Sequence, residues 1–159
     1  TVPYGEKGEI CVRGPCMMQG YYRAVEATTA TIEADGFMHT GDLGSLDDEG
    51  YLTVLGRIRD VIIRGGENIY PAEVEDALLK HPAIAAAAVV GVPDERWGQQ
   101  VGAAVRLAEG CTAEPEVIEA FLTDHLGHFK IPKKWLFISS LPMTPSGKVS
   151  KIEVEKLFS

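Results

Sequence analysis

The chain reads as an α+β protein: a β-rich stretch followed by a compact α+β domain with a small three-stranded sheet and flanking helices. Three observations predict this. The first third is rich in glycine and in short alternating apolar and polar runs, the pattern of hairpins. After Gly56, amphipathic helical stretches alternate with apolar runs. A chain of 159 residues with 45% hydrophobic side chains can also bury about 70% of its unfolded surface, which suffices for a core without disulfides or metals.

Glu9 to Arg13 is a strand candidate closed by Gly14-Pro15. Ala24 to Ala34 is a weak helix candidate, crowded by threonines and β-branched neighbours. Phe37 to Leu46 alternates before the turn Asp47-Asp48-Glu49-Gly50, and Tyr51 to Leu55 returns. Pro71 suits a first helical position; Val74, Ala77 and Leu78 then share one face until His81-Pro82 stops the helix. Ile84 to Val92 is a buried strand and Val101 to Leu107 its neighbour. Glu114 to Leu126 is a second helix, with Val117, Ile118, Phe121, Leu122 and Leu126 on its apolar stripe. Trp135 to Ile138 is a third strand, and Ser150 to Phe158 a closing helix. The domain boundary is expected between Gly56 and Val61.

Composition narrows the function. Fifteen basic against twenty-three acidic residues give a net charge of −8, which disfavours nucleic acid and anionic lipid as whole-surface partners. Cys11, Cys16 and Cys111 form no CxxC and no repeated spacing, so neither a disulfide framework nor a zinc finger is expected, and a cytoplasmic setting fits best. The longest apolar run, Ile84 to Val92, is far short of the ~20 residues of a membrane span. No signal peptide opens the chain, and the absence of an initiator Met suggests the interior of a longer protein.

Four segments carry chemistry. Thr40-Gly41-Asp42 is either an ordinary turn or a strand-end carboxylate able to accept from two vicinal hydroxyls, as acidic residues do for a ribose. Gly56 to Pro71 sets Arg57, Arg59 and Arg64 around Asp60, then Gly65-Gly66: a charged hairpin, or a place where backbone approaches a ligand closely. Leu141 to Val149 holds Gly147-Lys148 but is no Walker loop, because Pro142 stands where its first glycine belongs and Val149 where its hydroxyl belongs. It is a turn presenting one lysine. His125 and His128, three apart on a helix face, lack a carboxylate or cysteine to complete a ligand set, so no metal residue is assigned and the histidines read as surface or capping groups. An EF-hand at Asp47 to Gly50 fails because Gly56 occupies the glutamate position.

Together, GEICVRGPCMMQGYY, MHTGDLGSLDDEGYL, GRIRDVIIRGGENIYPAEVE, GVPDERWG and LPMTPSGKV resemble the carboxy-terminal part of the adenylate-forming, AMP-binding superfamily, specifically acyl-CoA synthetases. The resemblance covers essentially the whole chain. It implies an enzyme, of which this chain is a part, that turns a carboxylic acid and MgATP into an acyl adenylate and then an acyl-CoA. Residues 1–57 are then the last β subdomain of the large amino-terminal domain, 58–60 the hinge, and 61–159 a mobile carboxy-terminal lid.

By the same resemblance, Asp42 binds the ribose hydroxyls of ATP or AMP, Arg57 sits beside the same nucleotide, and Lys148 is the adenylation lysine. Gly65, Gly66 and Glu67, with Asn68, line the passage of the CoA pantetheine. Arg59 is the hinge residue, where the family usually has aspartate or lysine, and Lys151 stands where arginine is common. The phosphate loop, the adenine pocket, the Mg²⁺-binding glutamate and the acid pocket are expected upstream, so the isolated piece is expected to be inactive. Expected partners are the carboxylic acid, ATP, CoA, the amino-terminal domain and a lysine acetyltransferase acting on Lys148. Arg64, Lys130, Lys133 and Lys134 are weaker candidates for CoA phosphates. Two other readings are an adenylation domain that loads a carrier protein and a non-catalytic binding module.

Overall fold

A computed structural model describes all residues 1–159. The chain divides into two units, Thr1–Arg59 and Asp60–Ser159, and the division falls inside a 3₁₀ turn, Ile58–Asp60.

The first unit is a three-stranded antiparallel sheet in the order β1 (Lys7–Val12), β2 (Met38–Leu46), β3 (Leu52–Arg57). A short helix, α1 (Val25–Thr31), joins β1 to β2. It is shorter than the Ala24 to Ala34 expected: it has no side-chain cap and buries no residue. The β2–β3 turn is built by Asp47, whose Oδ1 accepts the N–H groups of Glu49 and Tyr51 at 3.1 and 2.7 Å, an Asx turn that sets the hairpin register. Apart from Gly44, no residue of this unit is buried.

The second unit contains β4 (Ile62–Arg64), β5 (Glu67–Ile69), α2 (Pro71–Leu79), β6 (Ile84–Asp94), β7 (Gly98–Leu107), α3 (Pro115–Thr123), β8 (Lys134–Phe137) and α4 (Lys151–Lys156). Its sheet runs β5-β4-β7-β6, with β8 added parallel to β7. Five strands therefore stand where three were expected. β4 and β5 have three residues each, too few for a period-2 alternation to show.

Period-2 alternation along β6 explains its continuous apolar run. Val89 faces one side, with Val101, Ala103 and Val105, against α2 and α3 through Val74, Leu78, Ile118 and Leu122. Ala88, Val90 and Val92 face the other, with Ala104, under Val154 of α4. Both faces are covered, so neither needs polar positions. Each fully buried Leu, Ile or Val contributes about 1.5–3 kcal/mol.

Helix ends follow local chemistry. Pro71 and Pro115 open α2 and α3 at positions whose N–H has no helical acceptor. α4 begins at Ser150, whose side chain accepts from Glu153 N–H. α3 ends at Thr123 instead of Leu126, so His125 and His128 do not share a helix face as expected. His128 starts a separate 3₁₀ turn after Gly127, and His125 stacks on Phe121 at 4.5 Å between ring centroids.

Candidate functional site

In the first unit, the segment from His39 to Asp42 is held residue by residue. Cys11 and His39 are cross-strand partners. The His39 ring reaches Glu9 Oε2 through Nδ1 at 2.7 Å and Glu33 Oε1 through Nε2 at 2.6 Å. Thr40 Oγ1 donates to Ile10 O at 2.7 Å and accepts Asp42 N–H at 3.1 Å. Gly41 takes φ +71°, a conformation that favours glycine, and its N–H donates to Glu9 Oε1 at 3.1 Å. These contacts fix the backbone that presents Asp42.

Asp42 is paired in register with Arg57 across β2 and β3. The Arg57 Nε lies 2.8 Å from Asp42 Oδ1, with the side chains 53% and 31% exposed, and Arg57 Nη1 donates to Thr40 O at 3.4 Å. The carboxylate keeps acceptor capacity beyond this bond, since an ionised carboxylate offers about four lone-pair sites. A half-exposed carboxylate backed by a guanidinium can accept from a diol while the fork meets an adjacent anion.

Electrostatics beside the pair are set by His39. The hydrogen bond from His39 holds the Glu9 carboxyl below its ordinary 4.5. Conversely, Glu9 and then Glu33 raise the imidazole above its ordinary 6.5. Burial, followed by the Glu9 charge, raises the Cys11 thiol. The donor atoms of Glu9, Cys11 and His39 lie within 4.8 Å of one another, a nitrogen, sulfur and oxygen set that suits zinc better than magnesium. Sequence spacing could not show this group, because a β pairing assembles it. Both His39 nitrogens are already engaged by carboxylates.

In the second unit, Gly65 and Gly66 form the two-residue tip of the β4–β5 hairpin, with φ +59° and +90°. Gly65 lies under the indole of Trp97: a Cβ there would stand 2.7 Å from Trp97 Cε3, whereas one on Gly66 meets nothing within 4 Å. Gly65 N–H donates to Trp97 O at 2.9 Å. The guanidiniums of Arg64 and Arg96 lie 4.8 and 4.7 Å from the indole centroid. Asp94 Oδ1 accepts the N–H of Arg96 and of Trp97, which shapes the β6–β7 turn. Trp97 was not singled out from sequence; the GVPDERWG segment contains it, but only the fold sets it on Gly65.

Lys148 rides a closed hairpin. Met143 and Val149 form an antiparallel bridge, Thr144 N–H donates to Lys148 O at 2.7 Å, and Lys148 N–H donates to Thr144 Oγ1 at 3.1 Å. Gly147 supplies the left-handed turn residue, and Ser150 N–H closes the base on Pro142 O at 2.9 Å. The Lys148 side chain is exposed and its ammonium has no hydrogen-bond or ion-pair partner. The structure thus brings Asp42 to Arg57 in one unit, and carries Gly65, Gly66, Glu67 and Lys148 on the other. Arg59 lies in the turn where the units divide. Of the weaker candidates, Lys130 pairs with Glu73 at 2.5 Å, and Lys133 pairs with Glu119. No helix is long and apolar enough to cross a membrane.

Comparison with known proteins agrees with this architecture. Residues 73–148 match the AMP-binding enzyme C-terminal domain. The chain is 46% identical, over 94% of its length, to a medium-chain acyl-CoA ligase of rat (Rattus norvegicus), of which it covers 24%. It is 48% identical, over 99% of its length, to a feruloyl-CoA synthase of an Amycolatopsis species, of which it covers 32%. Among solved structures, the amide bond synthetase McbA of Marinactinospora thermotolerans superposes with a TM-score of 0.94 at 42% identity, over 100% of this chain and 32% of that one. The chain therefore spans about a quarter to a third of the length of these relatives. Residues 73–148 are thus matched by the AMP-binding enzyme C-terminal domain, and nearly the whole chain is similar, at identities above 40%, to part of acyl-CoA ligases and of an amide bond synthetase.

Proposed function

We propose that the complete protein is an ATP-dependent acid:CoA ligase acting on a fatty acid in the cytoplasm, and that this chain supplies its nucleotide-gripping hairpin and its mobile lid. The observation that carries this reading is the likeness, over 94% and 99% of the chain, to relatives named as an acyl-CoA ligase and a feruloyl-CoA synthase. The domain assignment goes with it: residues 1–57 close the large domain, 58–60 are the hinge with Arg59 at its centre, and 61–159 are the lid. The first unit's lack of buried apolar side chains supports its being part of a larger body.

In the first half-reaction a carboxylate oxygen bonds to the α-phosphorus of ATP as the bond to pyrophosphate breaks. Asp42 accepts from the ribose hydroxyls, and Arg57, released in part from Asp42, donates to ribose or phosphate oxygen. Lys148 meets the charge that gathers on carboxylate and phosphoryl oxygens in the transition state. A positioned ammonium stabilises that charge more than the ground state, and loss of one such donor typically costs about 10²- to 10³-fold. Magnesium, when bound with ATP, would neutralise phosphate charge; the Glu9, Cys11 and His39 set does not suit it. In the second half-reaction the CoA sulfur attacks the acyl carbonyl and AMP leaves, with the Gly65-Gly66-Glu67 tip beside the thiol's path.

Lys148→Ala in the complete protein tests this. Acid-dependent pyrophosphate exchange should fall by about 10²- to 10³-fold, while thioester formation from supplied acyl adenylate persists. Undiminished exchange refutes the assignment. Gly66→Leu should do the reverse, sparing exchange and abolishing thioester formation. Offering medium-chain, aromatic and carrier-protein substrates in parallel separates the fatty acid:CoA reading from its relatives. The isolated 1–159 chain should release no pyrophosphate. Acetylation of Lys148, which removes its charge, should reproduce the alanine phenotype.

A further inference from the structure

We propose that Glu75 and Lys151 are positioning residues for Lys148, an inference that rests on the adenylation role just assigned to that lysine. β6 is an edge strand of the sheet, so on its outer side the Val89 N–H and C=O have no neighbouring strand to meet. A side-chain pair takes that strand's place. The Glu75 carboxylate, from α2, accepts Val89 N–H through Oε1 at 2.7 Å. The Lys151 ammonium, from the first residue of α4, donates to Val89 O at 3.1 Å and to the same Glu75 Oε1 at 2.7 Å. The two side chains are only 23% and 21% exposed. An ion pair so screened from water, with both partners also hydrogen-bonded to backbone, is held far better than a surface pair.

The clamp lies at the root of the Lys148 hairpin. Lys151 follows Lys148 by three residues, with Ser150 between them capping α4 and tying back to Pro142 O. On the other side, Leu141 and Val149 pack against the apolar cluster beneath α4. Lys148 itself has a side chain without partners, so its position derives from its backbone alone. That backbone is fixed by the hairpin bonds within the loop and, at its base, by the Ser150 tie to Pro142 O, the packing of Leu141 and Val149, and Lys151. Freeing Lys151 would let α4's first turn and the hairpin base move together. A misplacement of about 1 Å at a charge-stabilising group can cost about 10²-fold in rate.

The test uses the complete protein and the two half-reactions. Lys151→Ala and Glu75→Gln should lower the maximal rate of acid-dependent pyrophosphate exchange by about 10- to 100-fold, with KM for ATP and acid little changed. Thioester formation from supplied acyl adenylate should stay within about two-fold. Lys151→Arg, which keeps charge and donors, should restore most of the exchange rate. In a Lys148→Ala background, Lys151→Ala should cause no further loss, because the group it positions is gone. Equal losses in both half-reactions, or a full additional loss in that background, overturn the proposal. Should Lys151→Ala prove unfolded by calorimetry, the near-isosteric Glu75→Gln decides by the same criteria. Failure of Lys148→Ala alone to affect exchange would mark the adenylation assignment, and not the clamp geometry, as the fault.

Discussion

Replacing Gly65 or Gly66 with alanine separates two reasons for the double glycine. Both have positive φ, so either alanine meets the steric cost of left-handed backbone, about 1–2 kcal/mol. Only at Gly65 does the new methyl also meet the Trp97 ring, at 2.7 Å from Cε3 and 3.1 Å from Cζ3. Carbon pairs rest at about 3.5–4.0 Å, so the indole would have to retreat by roughly 0.8 Å. Trp97 is held against such a retreat through its backbone, whose N–H donates to Asp94 Oδ1 and whose carbonyl accepts Gly65 N–H, and through the two guanidiniums over its ring. Overpacking of this kind costs about 1–3 kcal/mol.

The expected totals are about 2–5 kcal/mol for Gly65→Ala and about 1–2 kcal/mol for Gly66→Ala. For a unit of this size each kcal/mol lowers the melting temperature by about 4–8 °C. Calorimetry should therefore place Gly65→Ala below Gly66→Ala by about 4 °C or more, and the Trp97 indole N–H resonance should shift strongly only in the former. Equal melting temperatures, or the reverse order, would refute the packing argument. The outcome bears on the proposed function too: if a side chain at Gly66 leaves the fold intact, its effect on thioester formation tests the proposed thiol path without a folding defect.

His39 should titrate above 6.5 in the complete protein by imidazole NMR, and Glu9→Gln should lower the midpoint more than Glu33→Gln, because Glu9 is the larger cause. The sign follows from the shifts. The raised imidazole contributes stability below 6.5 that is lost as pH rises through its folded value, and the lowered Glu9 contributes above 4.5 and is lost as pH falls through its own, so the pair is strongest between 4.5 and 6.5. A midpoint that neither variant moves would contradict the ion-pair geometry. Residues 60–159 alone should melt cooperatively, with Leu122→Ala destabilising them by about 2–5 kcal/mol, whereas residues 1–59 alone should show no cooperative transition. Cooperative melting of the latter would mean that a fold without buried apolar side chains sustains itself.

What the sequence made legible was whatever lies close along the chain. The α2 face, the apolar run of β6 and the turn at Asp47 depend on neighbours within a few residues, and each stands where periodicity and turn chemistry put it. β4 and β5 were missed because a three-residue strand has no period, and the end of α3 was misplaced because Leu126 continues the apolar stripe beyond Thr123, where the helix stops. At the candidate site the motifs named Asp42 and Arg57, but their contact at 2.8 Å exists only through the register of β2 on β3. Glu75 and Lys151 are 76 positions apart, joined by an edge strand whose backbone needs a donor and an acceptor on the same side. No local pattern encodes that requirement. A carboxylate on one helix and an ammonium at the start of another look like ordinary surface charges until the sheet is built. Candidate residues can thus be named from motif order, whereas the contacts that Glu75 and Lys151 make become visible only once the backbone's unmet hydrogen bonds are counted.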